Sequence, residues 1–285
     1  MKATLKAGLL LSLLTVLLVA VGQLIGGPHG AWGAFLFALV INLGSYWFSD
    51  KIVLAMYRAK PLSEAEAPQA YRAVREITQR ERIPMPKMFW ISTVTPNAFA
   101  TGRSPKHAAV AVTSGLLALM NEEELKGVLA HELSHVKNRD TLVMSIAAAV
   151  AGAIAMLADW ARWGLMWGGR GEDRKNGNAA VQVVALLIIA ILAPLAAMLI
   201  QLAISRAREY GADETGARLT GNPHGLASAL EKLDAAVRAH PLPHANPATA
   251  HLFIVNPLSA GAVAKLFSTH PPIAERVRRL RSMRL

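Results

Sequence analysis

His131-Glu132-Leu133-Ser134-His135 is the stretch that decides how this sequence is interpreted, because it places two histidines four residues apart. On an α-helix, side chains four positions apart lie on the same face, so His131 and His135 present two imidazoles to one point. Glu132 projects about 100° around the helix from His131, so it can reach a water molecule beside a bound metal without being a ligand. The stretch therefore predicts two zinc ligands and a general base.

The residues around this motif predict the helix that the motif requires. Asn121 can cap the helix, and Glu124, three residues later, completes a capping box. An apolar face recurs at helical spacing, through Leu125, Val128, Leu129 and Val136. The alternative is a pair of ordinary histidines on the surface of a helix.

The composition indicates a membrane protein. Apolar residues make up 53% of the chain, and the mean hydropathy is +0.33. Four apolar runs are long enough to consider as membrane spans, at residues 7–25, 31–48, 142–158 and 179–204. Four spans is therefore the largest number expected. The third run is rich in alanine and ends at Asp159, so a long buried or interfacial helix is the alternative for that run.

The first two runs are predicted to form an uncleaved helical hairpin with its turn at residues 26–30. The first run exceeds the roughly 7–15 apolar residues of a signal-peptide core, and a second run follows closely. The turn of the hairpin contains no lysine or arginine. The basic residues flank the hairpin on both sides, at Lys2, Lys6, Lys51, Arg58 and Lys60. Both ends are therefore predicted to face the cytoplasm. If the third and fourth runs were also spans, the basic loop at residues 162–178 would lie on the outer side, where few lysines and arginines are expected.

Charge and cysteine content limit the partners. The net charge of +11 could indicate a nucleic-acid partner, but no nucleic-acid motif accompanies it, and much of the charge flanks apolar runs or lies in the tail at residues 276–284. An anionic lipid surface is the simpler partner. The chain has no cysteine, so a metal site must use histidine and carboxylate. It also has no phosphate-binding G-x-x-x-x-G-K-[ST] stretch, so no nucleotide partner is expected.

A short sheet is predicted just before the metal-binding helix. Residues 62–81 have helical spacing, whereas residues 87–92 and 108–113 are typical of strands. Asn97-Ala98-Phe99-Ala100 lies between the two strands. We expect these four residues to form a sheet edge that binds a substrate peptide as an added strand. A structural hairpin that binds no ligand is the alternative.

A third ligand is expected after the fourth apolar run. Glu209 and Asp213 are four residues apart in a helical pattern, where like charges destabilise a helix by about 0.2–0.5 kcal/mol. A metal would remove the conflict if Glu209 were a ligand and Asp213 accepted a hydrogen bond from a ligand histidine. The alternative is a solvated charged helix. Histidines within the irregular stretch at residues 241–251 are expected to be solvated.

Four stretches of the chain resemble the HtpX-type membrane metalloproteases, relatives of the endopeptidases that process prenylated CAAX proteins. They are residues 97–102 (NAFATG), 131–140 (HELSHVKNRD), 208–213 (REYGAD) and 268–272 (STHPP), the last followed by Glu275 and Arg276. The resemblance implies zinc-dependent proteolysis, with ligands at His131, His135 and Glu209 and the base at Glu132. It also implies that His270 stabilises the oxyanion, the alternative being a histidine at a helix start.

The expected fold is a mainly α membrane protein with a small β-sheet and about four transmembrane helices, and the resemblance implies that these helices carry a gluzincin-like zinc protease core. The expected parts are a hairpin (1–50), a cytosolic part with the metal helix (51–140), two spans (141–204) and a second cytosolic part (205–285).

The resemblance implies a zinc endopeptidase of the bacterial inner membrane that cleaves membrane proteins from the cytoplasmic side, and we expect misfolded or damaged membrane proteins to be its substrates. An edge that binds substrates through their backbone would have little preference for particular side chains, which favours a protease with many substrates. One alternative is a CAAX-type processing protease, which needs prenylated substrates and a large intramembrane chamber. The other is a non-catalytic membrane scaffold that contains zinc.

Overall fold

The computed structural model describes residues 3–167, 205–239, 249–255 and 271–285. Within these residues the chain is mainly helical and contains a small mixed sheet, as expected. The helices are α1 (Ala3–Leu24), α2 (Gly26–Met56), α3 (Pro68–Glu81), α4 (Ser114–Leu119), α5 (Glu122–Lys137), α6 (Asp140–Trp167), α7 (Arg206–Thr220), α8 (Pro223–Ala239) and α9 (Ile273–Ser282).

Helices α1 and α2 form one helical run with a break at Gly26 and Gly27. Gly27 has φ 57° and ψ −147°, a conformation that residues with a Cβ rarely adopt. Pro28 follows in the first turn of α2, where its missing N–H removes no helical hydrogen bond. At 22 and 31 residues, both helices are long and apolar enough to cross a membrane. The predicted hairpin is present, and its break lies at the first two residues of the predicted turn.

The outward face of this hairpin is apolar. Leu24 is 82% exposed, Trp32 68% and Val40 67%. Such a continuous apolar surface is unfavourable in water and favourable in lipid.

The third predicted run forms part of α6, which packs against α1. Its buried side chains include Val143, Ile146 and Val150, in one cluster with Leu10 and Leu14 of α1. Its first part, Asp140–Gly152, is apolar. The fourth predicted run, residues 179–204, lies outside the described residues. The described part of the chain contains two candidate spans, so the expectation of about four spans stays a prediction.

The sheet contains β1 (Lys60–Pro61), β2 (Lys87–Ile91), β3 (Ala98–Thr101) and β4 (Ala109–Thr113), in the spatial order β1-β2-β4-β3. The two predicted strands are present as β2 and β4, and they pair in parallel. Strand β3, which contains three of the four predicted edge residues, pairs antiparallel with β4 at the end of the sheet. This order brings the backbone of β3 next to α5.

Helices α3, α5 and α8 pack with one face of the sheet around a common core that includes Val74, Val110, Leu129 and Leu230. Helix α3 begins at Pro68, six residues later than the predicted helix at residues 62–81. Proline is favoured at a helix start. Before it, a turn forms in which the Ser63 amide donates to Glu66 Oε2 at 2.8 Å.

Candidate metal centre

Helix α5 carries the two histidines, and its start is fixed by the predicted capping box. Asn121 Oδ1 accepts a hydrogen bond from the Glu124 amide at 2.9 Å, and the Asn121 amide donates to Glu124 Oε2 at 3.0 Å. His131 is 1% exposed and His135 3%. The alternative of two surface histidines is therefore wrong.

Helix α7 brings Glu209 to the two histidines. Its Gly216 lies so close to α5 that a Cβ there would come within 3.0 Å of the His131 amide nitrogen. Glu209 is buried, and its Oε2 and Oε1 lie 3.8 Å from His131 Nε2 and 3.5 Å from His135 Nε2, respectively. The alternative of a solvated charged helix does not describe these residues.

The three donor groups fit a divalent metal. The Nε2 atoms of His131 and His135 are 3.3 Å apart, and one donor atom from each of the three residues lies within 4.8 Å of the others. Two ligand atoms on a tetrahedral zinc are about 3.3 Å apart, given bonds of about 2.0–2.1 Å. The donor set can therefore hold one metal ion and leave a position open.

A carboxylate orients each histidine. His131 Nδ1 lies 2.9 Å from Asp213 Oδ1, and His135 Nδ1 lies 3.2 Å from Asp140 Oδ2. A hydrogen bond from each Nδ1 leaves Nε2 available for the metal. We expected such a contact for Asp213 and missed it for Asp140, which follows a break in the helix where Arg139 has φ 60°.

Arg276 is the second residue that the sequence analysis missed. It is 0% exposed, and its Nε and Nη2 donate to the two carboxylate oxygens of Asp213 at 2.8 and 2.6 Å. Burial by itself would raise the pKa of Asp213, but the charge and hydrogen bonds of Arg276 outweigh it and lower this pKa to about 2. Arg276 thus keeps the carboxylate beside His131 ionised.

Glu132 lies between the donor cluster and the sheet. Its Oε2 accepts a hydrogen bond from the Ala100 amide of β3 at 2.9 Å. Burial raises the pKa of Glu132 to about 8; His135 opposes this rise and Glu209 adds to it. A bound cation would favour the ionised form. A carboxyl group with a pKa that its neighbours control is suited to accept and return a proton.

The predicted peptide edge is covered in this structure. Asn97, Ala98, Phe99 and Ala100 are each at most 2% exposed. Residues 249–255, which we call the covering segment, lie against them, and the Ile254 amide donates to the Ala98 carbonyl at 3.3 Å. His251 of this segment is 1% exposed and its Nε2 donates to the Met144 carbonyl at 3.1 Å, so the expectation that His251 is solvated is wrong. His270 lies outside the described residues.

The sequence matches the model of peptidase family M48 over residues 64–284. A protease HtpX homolog of Syntrophobacter fumaroxidans is 58% identical over 278 residues, which cover 98% of each chain. One of Pyrococcus furiosus is 56% identical over 278 residues, which cover 98% of this chain and 95% of the relative.

Among solved structures, Ste24p of S. mikatae has a similar fold, with a TM-score of 0.50 and 18% identity. The likeness covers 94% of this chain and 62% of that chain, so this protein spans less than two thirds of Ste24p. With the family match and the donor cluster, these findings lead to one conclusion: the chain belongs to peptidase family M48 and is a membrane metalloprotease.

Proposed function

We propose that this protease is a zinc endopeptidase of the bacterial inner membrane, with its site on the cytoplasmic side, and that it cleaves misfolded or damaged membrane proteins. His131, His135 and Glu209 would bind the metal and Glu132 would act as the base. The observation that carries the proposal is the convergence of three buried donor groups beside a buried carboxyl group.

Zinc is the proposed metal because the donor set is two imidazoles and one carboxylate, and because the chain has no thiolate to offer. When bound, zinc would polarise the scissile carbonyl and acidify a water molecule. His270 keeps its expected role in stabilising the oxyanion, which awaits a test by substitution.

The protein's own groups account for proton transfer. The Ala100 amide holds Glu132 Oε2, and Oε1 would accept a proton from the attacking water. Glu132 would later give that proton to the leaving amine. Asp213 and Asp140 would hold the histidines in the tautomer that keeps each Nε2 unprotonated.

The membrane arrangement is proposed from the apolar helices and the flanking charges. The hairpin (1–50) would anchor the chain, and the two cytosolic parts (51–140 and 205–285) would form the protease domain. Lys51, Arg58 and Lys60 after the hairpin support a cytoplasmic site. A second pair of spans (141–204) would return Glu209 to the side of His131, because one metal must contact both.

The proposed substrates are membrane proteins or peptides in an extended form, without nucleotide or nucleic acid as partner. Recognition through the backbone of β3 would depend little on side chains and would suit many damaged proteins.

The decisive experiment compares wild type with Glu132→Gln in a cleavage assay on a misfolded membrane protein. We expect turnover to fall by about 10²–10⁴-fold, because the general base is lost. Zinc content should stay near one ion per chain, because Glu132 is not a ligand. Glu122→Gln, an exposed change on the same helix, is the matched control. Substantial turnover by Glu132→Gln contradicts the proposed role, and loss of its zinc would make Glu132 a ligand instead.

A further inference from the structure

Strand β3 has one side that its own sheet leaves without partners. Its Ala98, Phe99 and Ala100 align with β4, and the Thr113 amide of β4 donates to the Asn97 carbonyl at 3.0 Å. The backbone groups that point away from β4 belong to Ala98 and Ala100. Unpaired backbone groups of an edge strand can bind another extended chain.

The covering segment already occupies this side. The Ile254 amide donates both to the Ala98 carbonyl at 3.3 Å and to Asn97 Oδ1 at 3.1 Å. In return, Asn97 Nδ2 donates to the Val255 carbonyl at 2.9 Å. One of these contacts joins two backbones, as when a sheet edge binds an added peptide, and the other two join the backbone of the segment to the side chain of Asn97.

Apolar contacts hold the segment in place. Leu252, Phe253, Ile254 and Val255 are 2%, 1%, 1% and 5% exposed. The ring of Phe253 lies 5.3 Å from that of Phe99 in β3 and 4.9 Å from that of Tyr57, which follows α2. The hydroxyl groups of Tyr57 and Thr249 are hydrogen bonded. Ala250–Leu252 form a short 3-10 helix, and Phe253 after it has an extended backbone with φ −80° and ψ 145°. The part of the segment that runs along the edge is therefore the apolar stretch from Phe253 to Val255.

The same edge also leads to the proposed base. Ala98 binds Ile254, and two residues further along the strand the Ala100 amide binds Glu132. A substrate peptide cannot pair with the Ala98 carbonyl while Ile254 does so. The segment and a substrate that uses this edge must therefore exclude each other.

We propose that the covering segment is an internal occupant of the substrate edge, and that substrates are extended apolar peptides that displace it. Its sequence, Leu252-Phe253-Ile254-Val255, indicates the preferred class: an aromatic residue followed by β-branched residues, as in an unwound membrane segment. This inference rests on the proposed function and adds its substrate class and its regulation. If only a fraction of the molecules have an open edge, the apparent affinity for a peptide equals the affinity of the open edge multiplied by that fraction.

A disulfide can lock the segment, because the chain has no cysteine of its own. Ala98 and Ile254 are joined by a backbone hydrogen bond and lie in the same buried cluster, which makes them the pair to test for a disulfide. Ala98→Cys with Ile254→Cys would be made in full-length, zinc-loaded Glu132→Gln protein. The probe is a fluorescent peptide with the sequence of residues 249–255, and binding is measured by fluorescence polarisation before and after reduction.

We expect the oxidised pair to bind the probe at least about tenfold more weakly than the reduced pair. The single-cysteine variants should not respond to the reductant. Equal binding by oxidised and reduced protein, with the disulfide verified by mass spectrometry, overturns the proposal.

A second variant keeps the test decisive if the disulfide does not form. Ile254→Pro removes the N–H that binds Ala98 and Asn97, and Ile254→Val keeps it. With zinc content intact, Ile254→Pro should bind the probe about tenfold more tightly than Ile254→Val. Unchanged or weaker binding contradicts the proposal. If Ile254→Pro loses its zinc, the cysteine pair alone decides.

The peptide itself tests the substrate class. A probe with serine in place of the residues that match Phe253 and Ile254 should bind at least about tenfold more weakly. Equal binding of the two probes contradicts an apolar preference. Probe binding in a chain that cleaves no membrane protein would contradict the proposed function alone, whereas cleavage that ignores the lock would contradict only this inference.

Discussion

In soluble proteins apolar side chains are usually buried and charged side chains exposed, and the hairpin and the metal centre each depart from one half of this rule. The hairpin exposes large apolar side chains, such as Leu24 and Trp32, whereas the metal centre buries His131, Glu132, Glu209 and Asp213. Each arrangement would be unfavourable in isolation, because apolar surface is costly in water and charge is costly in a protein interior. The difference teaches that each region depends on a component outside the chain: lipid for the hairpin and a cation for the centre.

The largest effect is expected from Glu209→Ala, which removes a proposed ligand. Metal content should fall, and activity should drop by about 10³-fold or more, because several kcal/mol of transition-state stabilisation are lost with the metal. Metal analysis and a cleavage assay measure the two effects. Glu214→Ala, at an exposed position of the same helix, should keep both. If Glu209→Ala kept a full complement of metal, another residue would be the third ligand.

Arg276→Met should be the most destabilising change at the centre. It leaves Asp213 buried without its cationic partner, which costs about 3–5 kcal/mol. Thermal unfolding of the metal-free protein in detergent measures the change. Arg278→Met, two residues away and 71% exposed, should stay within about 0.5 kcal/mol of wild type. Similar melting temperatures for the two variants would show that the interior does not need this charge.

A charge on the hairpin tests whether lipid covers it. Val40→Asp places a carboxylate near the middle of α2, which should cost about 2.5–3.5 kcal/mol of membrane insertion. Val94→Asp is the matched control: Val94 is 77% exposed in the sheet-containing part and Val40 67% exposed in the hairpin. An insertion assay and the yield of membrane-bound protein measure the difference. Equal tolerance of both changes would place α2 in water.

The smallest effects should come from the two carboxylates that orient the histidines. Asp213→Asn and Asp140→Asn should each weaken zinc binding by about 10–100-fold. The larger loss is expected for Asp213, because it also binds Arg276. Competition with a chelating indicator measures both affinities. An unchanged affinity in Asp140→Asn would mean that its contact with His135 is incidental.

The sequence analysis predicted the features that depend on neighbouring residues. The capping box at Asn121, the histidine pair and the two apolar helices of the hairpin all follow from local spacing. The charge conflict between Glu209 and Asp213 likewise predicted that these residues come together with a histidine. These features can be predicted because they involve residues that are close together in the sequence.

Contacts between distant segments were not predictable in this way. Arg276 meets Asp213 across 63 positions, and Ile254 meets Asn97 across 157. Asp140 is near His135 in sequence, but its contact depends on the backbone turn at Arg139. These contacts form only when the whole chain packs, so the spacing of residues in the sequence does not predict them.

The contact between Tyr57 and Phe99 has a consequence for where substrates are cut. Tyr57 follows the last residue of α2, and its ring lies 5.7 Å from that of Phe99 in the proposed peptide edge. A substrate in the same bilayer would therefore need only a short tether beyond its own span to reach this edge. Effective concentration is low when a tether is too short to span the distance and falls again as it lengthens. We expect cleavage sites to cluster a few residues from the membrane boundary of a substrate, and distant loops to be cut slowly.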